Sequence, residues 1–517
     1  MQWSYSTCLG TSHNTKLILR ELDVRRWTGT VPQREFTVIG GMSVGPRKLG
    51  VNNKDVATLS ASIAERVLFY RRGEEILPPL EPKRGAFRRL RTFKKRLLCK
   101  FGFRPAPLTP NEFVNMYKGR KKTIYEHALI EYLAGGVKDR HALIRAFVKA
   151  EKVNTEKAPR CIQPRHPVYN IGLGCYLKHI EHRLYKAIAR VYNQKFVVSK
   201  GMNVAELGQG LSQLWDDIVD PVFVGFDASR FDMHVSQDAL RWEHSIYLAL
   251  YNYDPELARL LTMQLVNKGT GWCPDGRVKY KTIGCRMSGD MNTGLGNCLL
   301  MCGMVYEYMG RLDSPYRFIN NGDDCGVILS RKDLPTLDDL PGYFGDLGFR
   351  MEVEEPVDVL ERVVFCQMQP VRTEEGYVMV RQFHTALEKD TMSIVPLTST
   401  KMVRKWMYAV GECGLALCSG IPVMQSFYEV YMREGLPSNM SQATYMESGA
   451  RNLAIGMASK SRPVSSVARW SFYLAFGVSP ADQEQLEQYY SRMVFGGQLP
   501  VSDSRDVPGL LVTRIDQ

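Results

Sequence analysis

Residues 318–328 read Phe-Ile-Asn-Asn-Gly-Asp-Asp-Cys-Gly-Val-Ile, and no other stretch constrains the fold of this chain so tightly. Two apolar runs flank an Asn-Gly-containing turn, which is the pattern of a β-hairpin. The turn itself carries two adjacent carboxylates, Asp323 and Asp324. An ordinary turn accepts one aspartate easily, but two neighbouring like charges repel unless a cation neutralises them. The sequence therefore predicts a buried hairpin whose tip is reserved for chemistry.

A third carboxylate has a related setting. Val222-Phe223-Val224-Gly225-Phe226 is a short apolar strand that ends on Asp227, followed by Ala228-Ser229-Arg230-Phe231-Asp232. Taken alone, Asp227 reads as a strand-terminating residue. Together with Asp323 and Asp324 it forms a hard-oxygen set suited to two Mg²⁺ ions. Two metals about 3.5–4 Å apart can activate an attacking oxygen and stabilise a leaving pyrophosphate. Between the strand and the hairpin lies Ser288-Gly289-Asp290-Met291-Asn292-Thr293-Gly294-Leu295-Gly296-Asn297, opening a long helix predicted over 291–309. Thr293 and Asn297 are four apart and share one helical face. The three glycines let a ligand or another backbone come close; the alternative is a capped helix packed tightly on a sheet.

Composition sets the outer limits. Of 517 residues, 44% are hydrophobic and 23% charged, which fits a globular chain of several subdomains and excludes a fibrous or mostly disordered one. No apolar run approaches the ~18–20 residues of a membrane-spanning helix. The N-terminus lacks the basic-then-apolar layout of a signal peptide, so the expectation is a protein neither secreted nor integral to a membrane. The 12 cysteines never form Cys-x-x-Cys and read as buried free thiols in a reducing compartment rather than a zinc site.

A net charge of +13 points to a polyanionic partner. From Lys83 to Arg104 there are ten Lys/Arg and no acidic residue, interleaved with Phe87, Phe93, Leu97 and Phe101. Such a segment can lay an apolar stripe on a core and direct cations, Lys94, Lys95 and Arg96 among them, at RNA phosphates. A solvated basic face or a membrane-surface helix is the alternative. A second cluster, Lys118 to Lys122, adds Arg120, Lys121 and Lys122. Residues 1–50 read as irregular, broken by Gly40-Gly41 and Pro46. Helices are predicted over Leu59–Tyr70, Glu126–Leu133, Ile171–Val191 and Asp238–Tyr251, and helical patterns dominate from about 390, one of them opened by Ser479-Pro480.

These residues carry a resemblance. Asp-x4-Asp at 227/232, Ser-Gly-x3-Thr-x3-Asn at 288–297 and Gly-Asp-Asp at 322–324 resemble motifs A, B and C of the RNA-dependent RNA polymerases of positive-strand RNA viruses. Lys149-Ala150-Glu151-Lys152 with Lys157-Ala158-Pro159-Arg160-Cys161-Ile162 resembles basic motif F, and Phe365-Cys366-Gln367 resembles motif E. Gly40-Gly41 followed by Gly50-Val51-Asn52-Asn53 is most similar to the tombusvirus, carmovirus and luteovirus replicases.

The resemblance implies an α+β right-hand polymerase. It divides the chain into an irregular N-terminal segment 1–50, basic fingers 51–220, a palm with an antiparallel sheet at 221–372 (with a fingers insertion near 240–282) and a mostly helical thumb 373–517. It implies catalysis and metal binding by Asp227, Asp323 and Asp324, with Mg²⁺ or substituting Mn²⁺. It implies ribose recognition by Asp232 and Asn297 with Ser288 or Thr293, and triphosphate binding by Arg160, Lys149 and Lys157. The implied partners are RNA template and product, ribonucleoside triphosphates, and a viral auxiliary replication protein that anchors the enzyme to membranes in the host cytoplasm. In this family the region follows a frameshift or stop-codon readthrough, which implies a membrane-targeting part upstream of this chain.

One departure stands out. Family enzymes often place a lysine in motif D as general acid, yet no lysine occurs from Pro341 to Arg362. Arg350 is the nearest cation, and arginine barely releases protons near neutrality, so the general acid stays unassigned. Rival readings are weaker. Gly41-Met42-Ser43-Val44-Gly45 matches a nucleophile elbow and follows a strand-like Phe36-Thr37-Val38-Ile39, but Pro46-Arg47-Lys48 follow where a helix is required. The absence of Gly-Lys-Ser/Thr argues against a P-loop NTPase. A reverse transcriptase would favour an aromatic steric gate over the Asp232/Asn297 pair, and a decayed, non-catalytic RNA-binding palm would not keep all three carboxylates.

Overall fold

The computed structural model describes residues 21–42, 48–72, 75–437, 452–496, 509–511 and 513–515. It is an α+β protein in which two four-stranded sheets are set among helices.

The central sheet has the strand order Tyr316–Asn321, Asp324–Ser330, Pro221–Ala228, Met351–Val353, every neighbouring pair antiparallel. Side chains alternate between its faces. On one face Val222, Val224, Phe226, Cys325, Val327 and Leu329 enter the larger core, which also takes in the buried helix Thr293–Met309. On the other face Phe223, Ile319 and Ile328 enter a second core shared with the helices Thr400–Cys418 and Met424–Glu434. That second core stops short of the hairpin tip. The next positions on the same face are the paired Gly225 and Gly326, and after them Asp227 and Asp324, so one alternating stripe runs from apolar to acidic as the cover ends.

A lateral sheet has the order Glu21–Arg26, Gly276–Ile283, Val266–Cys273, Ile144–Arg145, the last strand parallel to its neighbour. Its inner face places Cys273, Val278 and Tyr280 in a third core with Val56, Leu59 and Ile63. Residues 1–50 are thus not wholly irregular: Glu21–Arg26, Thr37–Ile39 and Gly50–Val51 are strands. Their partners lie as far away as residues 276–281, 392–393 and 509–511, and the short-range pattern carries no sign of such pairing. Gly50–Val51 pairs with Lys152–Val153 while Thr37–Ile39 pairs with Met392–Ser393, so this segment ties the basic region to the C-terminal helices.

The helix predicted over Ile171–Val191 is two helices, Pro167–Leu177 and Glu181–Val191, separated by a turn at 178–180. The predicted Leu59–Tyr70 helix is Val56–Ile63 followed by a π-helical stretch, Ala64–Leu68. Within the basic segment, Arg91–Phe101 is a helix that buries Phe93, Leu97 and Phe101, as the apolar spacing predicts. Ser479 caps Pro480–Ser491 by accepting from the Asp482 amide. Ser43, and with it the Gly-x-Ser-x-Gly match, lies outside the described residues.

Candidate active site

The strand register decides which carboxylates meet. Asp227 stands directly opposite Asp324 on one side and Glu352 on the other. Asn321 pairs with Asp324, so the central turn residues are Gly322 and Asp323; only Gly322 has positive φ, at 94°, the type II′ pattern that demands glycine first. Asn320 is fully buried and grips the turn, its amide donating to the Gly322 carbonyl at 2.8 Å and accepting from the Gly322 N–H at 3.1 Å. Asp324 accepts from the Cys366 N–H at 3.0 Å. Cys366 and Gln367 both hold positive φ, which folds this loop back onto the carboxylate.

Burial and then mutual repulsion both act on the carboxylates of this cluster. Burial first, and then Asp323, push the Asp324 carboxyl up to about 6. Burial, Glu352 and Asp323 raise that of Asp227. Glu354, whose carboxylate lies over Gly225, is raised by burial and by Asp227. Oxygen-only ligands crowded on two strands fit a hard divalent cation, whose charge would reverse these shifts. Asp227, Asp323 and Asp324 could hold Mg²⁺. Glu352 and Glu354 adjoin them and were not among the residues singled out from the sequence. Their Glu-x-Glu spacing, which puts both on one face of an extended segment, was the available signal.

Asn297 donates from Nδ2 to Asp232 at 2.8 Å. The orientation of its amide follows from chemistry: Arg286, which can only donate, gives its Nε–H to Asn297 Oδ1 at 3.0 Å. Arg286 and Glu243 are an ion pair with fully buried side chains. Glu243 in turn accepts from Asn292 Nδ2 at 2.7 Å and from the Tyr247 hydroxyl at 2.8 Å. A Cβ on Gly296 would collide with both Arg286 and Glu243, which explains that glycine. Burial raises the Asp232 carboxyl to about 6, with the Asn297 bond opposing. Ser288 and Thr293 are turned elsewhere. Ser288 donates to the Cys161 carbonyl at 3.1 Å, and Thr293 donates to Met287 and Asp290 carbonyls of its own loop. The helix accordingly starts at Thr293 rather than 291. The loop is also pinned by Arg165, buried against Asp290 at 2.5 Å.

The basic candidates divide. Lys149 sits 2.8 Å from Glu151, Arg160 approaches the same carboxylate at 3.8 Å, and Lys157 is exposed on a turn. Two further guanidiniums join them. Burial, then Arg230 and Arg160, lower Arg66 to about 10, so three cations crowd one another. Arg230 has φ of 55°, and its buried Nη1 has no hydrogen-bond partner among the described residues. Such crowding suits a polyanion. Lys200, also missed, donates to Asn321 Oδ1 at 2.7 Å beside the acidic turn.

Of the outlying cations, Lys94 donates to Ser245 at 2.7 Å and Arg96 to the Tyr306 hydroxyl, whereas Lys95 and Arg120 are exposed. Lys121 lies 4.8 Å over the Tyr117 ring and Lys122 is 3.9 Å from Glu126. Arg350 stacks 4.4 Å over the Tyr70 ring. Glu131, His141 and His166 also converge, a group able to hold a metal ion. Nδ1 of each histidine accepts a backbone N–H, from Lys138 at 3.0 Å and Val168 at 3.3 Å, and His141 Nε2 meets Arg140 Nε at 3.2 Å and Glu131 at 3.0 Å.

Known proteins agree with one another about this chain. The sequence model of the family described as viral RNA dependent RNA polymerase matches residues 24–497. The RNA-directed RNA polymerase of melon necrotic spot virus is 41% identical over 488 residues, which are 92% of this chain and 61% of the relative. That of tobacco necrosis virus strain A is 41% identical over 469 residues, 89% of this chain and 64% of the relative. That of turnip crinkle virus is 42% identical over 470 residues, 89% and 60% respectively. The chain thus spans about three-fifths of the length of these curated relatives. It belongs to the viral RNA-dependent RNA polymerase family.

Proposed function

We propose that this chain is an RNA-directed RNA polymerase that replicates a positive-strand viral genome, adding ribonucleotides to an RNA 3′ end and releasing pyrophosphate. The observation that carries the reading is the carboxylate register, Asp227 opposite Asp324 with Asp323 at the adjoining turn. Mg²⁺ held by these three, or Mn²⁺ in its place, would activate the 3′-hydroxyl and offset charge on the leaving pyrophosphate. Asp232 and the amide fixed by Arg286 would engage the ribose 2′-hydroxyl. Arg66, Arg160 and Arg230, with Lys149 and Lys157, would hold the triphosphate, guanidinium forks matching phosphate oxygens. The right-hand layout goes with this reading: fingers over 51–220, palm over 221–372 with an insertion near 240–282, thumb over 373–517, and 1–50 leading in. Among the described residues no helix is long and apolar enough to cross a membrane. Membrane attachment in the host cytoplasm would then come through an auxiliary viral protein or an upstream segment.

Incubating the chain with a short RNA template, four ribonucleoside triphosphates and Mg²⁺ tests the proposal. Product of template length that depends on template is expected, and no extension under any divalent metal would reject it. The triphosphate assignment has its own check. Arg230→Ala is expected to raise the KM for nucleotide about tenfold, the loss of roughly one charge-assisted hydrogen bond, with a smaller change in kcat. An unchanged KM would return Arg230 to a structural role. For RNA affinity, each cation touching phosphate contributes about 0.7–0.9 to the salt slope. Lys95→Ala is expected to lower that slope and Lys94→Ala, tied to Ser245, to leave it unchanged.

A further inference from the structure

The outer face of the lateral sheet has no part in the site above. Its outward positions are Val266, Lys268, Thr270 and Trp272 on one strand and Arg277, Lys279 and Lys281 on the next. The register sets Lys268 directly opposite Lys281, and Arg25 opposite Arg277. Like charges so placed destabilise an antiparallel pair. Glu21, opposite Lys281, and Asp23, which lies 3.7 Å from Arg25 and 4.0 Å from Arg277, offset this only along the Glu21–Arg26 edge. On the other side Arg145 pairs with Thr270, and neither Val266–Cys273 nor Ile144–Arg145 contains an acidic residue. The sheet keeps a repulsive arrangement that an external polyanion would relieve.

At the hairpin end two tryptophans stand beside these cations. Trp272 is 58% exposed and Trp27 43%, with ring centroids 6.0 Å apart. Arg277 lies 5.4 Å over the Trp272 ring, and Trp27 is held by its indole N–H, which donates to the Pro274 carbonyl at 2.7 Å. Fixed, open rings next to a row of cations match the chemistry of single-stranded nucleic acid, whose bases stack on aromatics while phosphates meet lysine and arginine. A duplex offers no unstacked base to such a ring. A membrane surface takes a continuous apolar face, whereas here the outward positions between Val266 and Trp272 are Lys268 and Thr270. The strand also leads to the candidate active site. Asn267 accepts from Arg165, which holds Asp290 of the glycine-rich loop, and Trp272 lies roughly 17 Å farther along at ~3.4 Å per residue.

We propose that this face is a binding track for single-stranded RNA outside the catalytic centre, with Trp272 as its stacking platform and Lys268, Lys279 and Lys281 as its phosphate contacts. The proposal rests on the polymerase reading, which supplies the strand. The test uses the full chain and a fluorescein-labelled oligouridylate, with a blunt RNA duplex and phosphatidylserine vesicles as controls. Trp272→Ala is expected to weaken oligouridylate binding roughly five- to hundredfold, Trp272→Phe to retain most of it, and duplex binding to stay unchanged. The triple Lys268/Lys279/Lys281→Ala variant is expected to lower the single-strand salt slope by about 2, at ~0.7 per contact. Single-nucleotide addition at saturating RNA should match wild type in all of them. Variants that bind oligouridylate like wild type overturn the proposal alone. Vesicle binding lost with RNA binding intact also overturns it and gives the face to a lipid surface. A wild-type chain that binds no RNA sinks the polymerase reading as well.

Discussion

Asp323→Asn is expected to abolish nucleotide addition while leaving the melting temperature within a few degrees of wild type. The amide keeps the shape of the carboxylate and removes its charge, and a hard divalent cation is held by charge. Losing a metal-held transition state costs several kcal/mol, on the order of a thousandfold in rate or more. Asp227→Asn should behave alike, because Asp227 faces both Asp324 and Glu352 across the sheet. Asp324→Asn should be milder and partly rescued by Mn²⁺, since that side chain also accepts the Cys366 N–H, a bond an amide oxygen can keep. Stability should not fall in any of the three, as removing one of several crowded like charges relieves repulsion. Extension by the Asp323 variant at near wild-type rate would remove the carboxylates from the mechanism.

Sugar choice gives the second large effect. Asn297→Ala is expected to lower the preference for ribonucleotides over deoxyribonucleotides roughly ten- to hundredfold, chiefly by weakening ribonucleotide use. Wild type presents a fixed polar pair, with Asn297 Nδ2 on Asp232 and its Oδ1 locked by Arg286. A deoxynucleotide leaves part of that pair unsatisfied, at a cost of about 1–3 kcal/mol. Incorporation of both sugars on one template measures the ratio. An unchanged ratio with a lowered melting temperature would make Asn297 a packing residue of the buried Arg286–Glu243 network.

The hairpin tip, the Asp227 strand and the helix carrying Asn297 were legible because each is a local pattern: apolar runs, a glycine turn and an i, i+4 spacing. The α+β mixture and the family followed from the same stretches. What the sequence hid depends on long-range register or burial. Glu352 matters because a three-residue strand pairs with Asp227, about 125 residues away, a separation no local periodicity encodes. Arg286 and Glu243 look like ordinary charged residues until both prove fully buried against Asn297. Arg66 and Arg230 are singletons that only the fold brings beside Arg160. Ser288 and Thr293 are the converse case, in which the spacing is visible in the sequence and the hydrogen bonds are not. Their spacing is right, but both hydroxyls are taken by nearby carbonyls, Ser288 by Cys161 and Thr293 by its own loop. Glu21–Arg26 and Gly50–Val51 were missed because their partners lie at 276–281 and 152–153, beyond the reach of any local pattern, whereas Thr37–Ile39 falls in the strand-like run Phe36–Ile39.

The most direct measurement is single-nucleotide addition on four primed RNA templates that differ only at the templating base. Each template is supplied with all four ribonucleoside triphosphates in turn, for wild type and for Asp323→Asn. Wild type should add the complementary nucleotide on every template, with Mg²⁺ required, and Asp323→Asn should add none. Addition by wild type that ignores the templating base, or templated addition that survives the loss of the Asp323 carboxylate, would contradict this account.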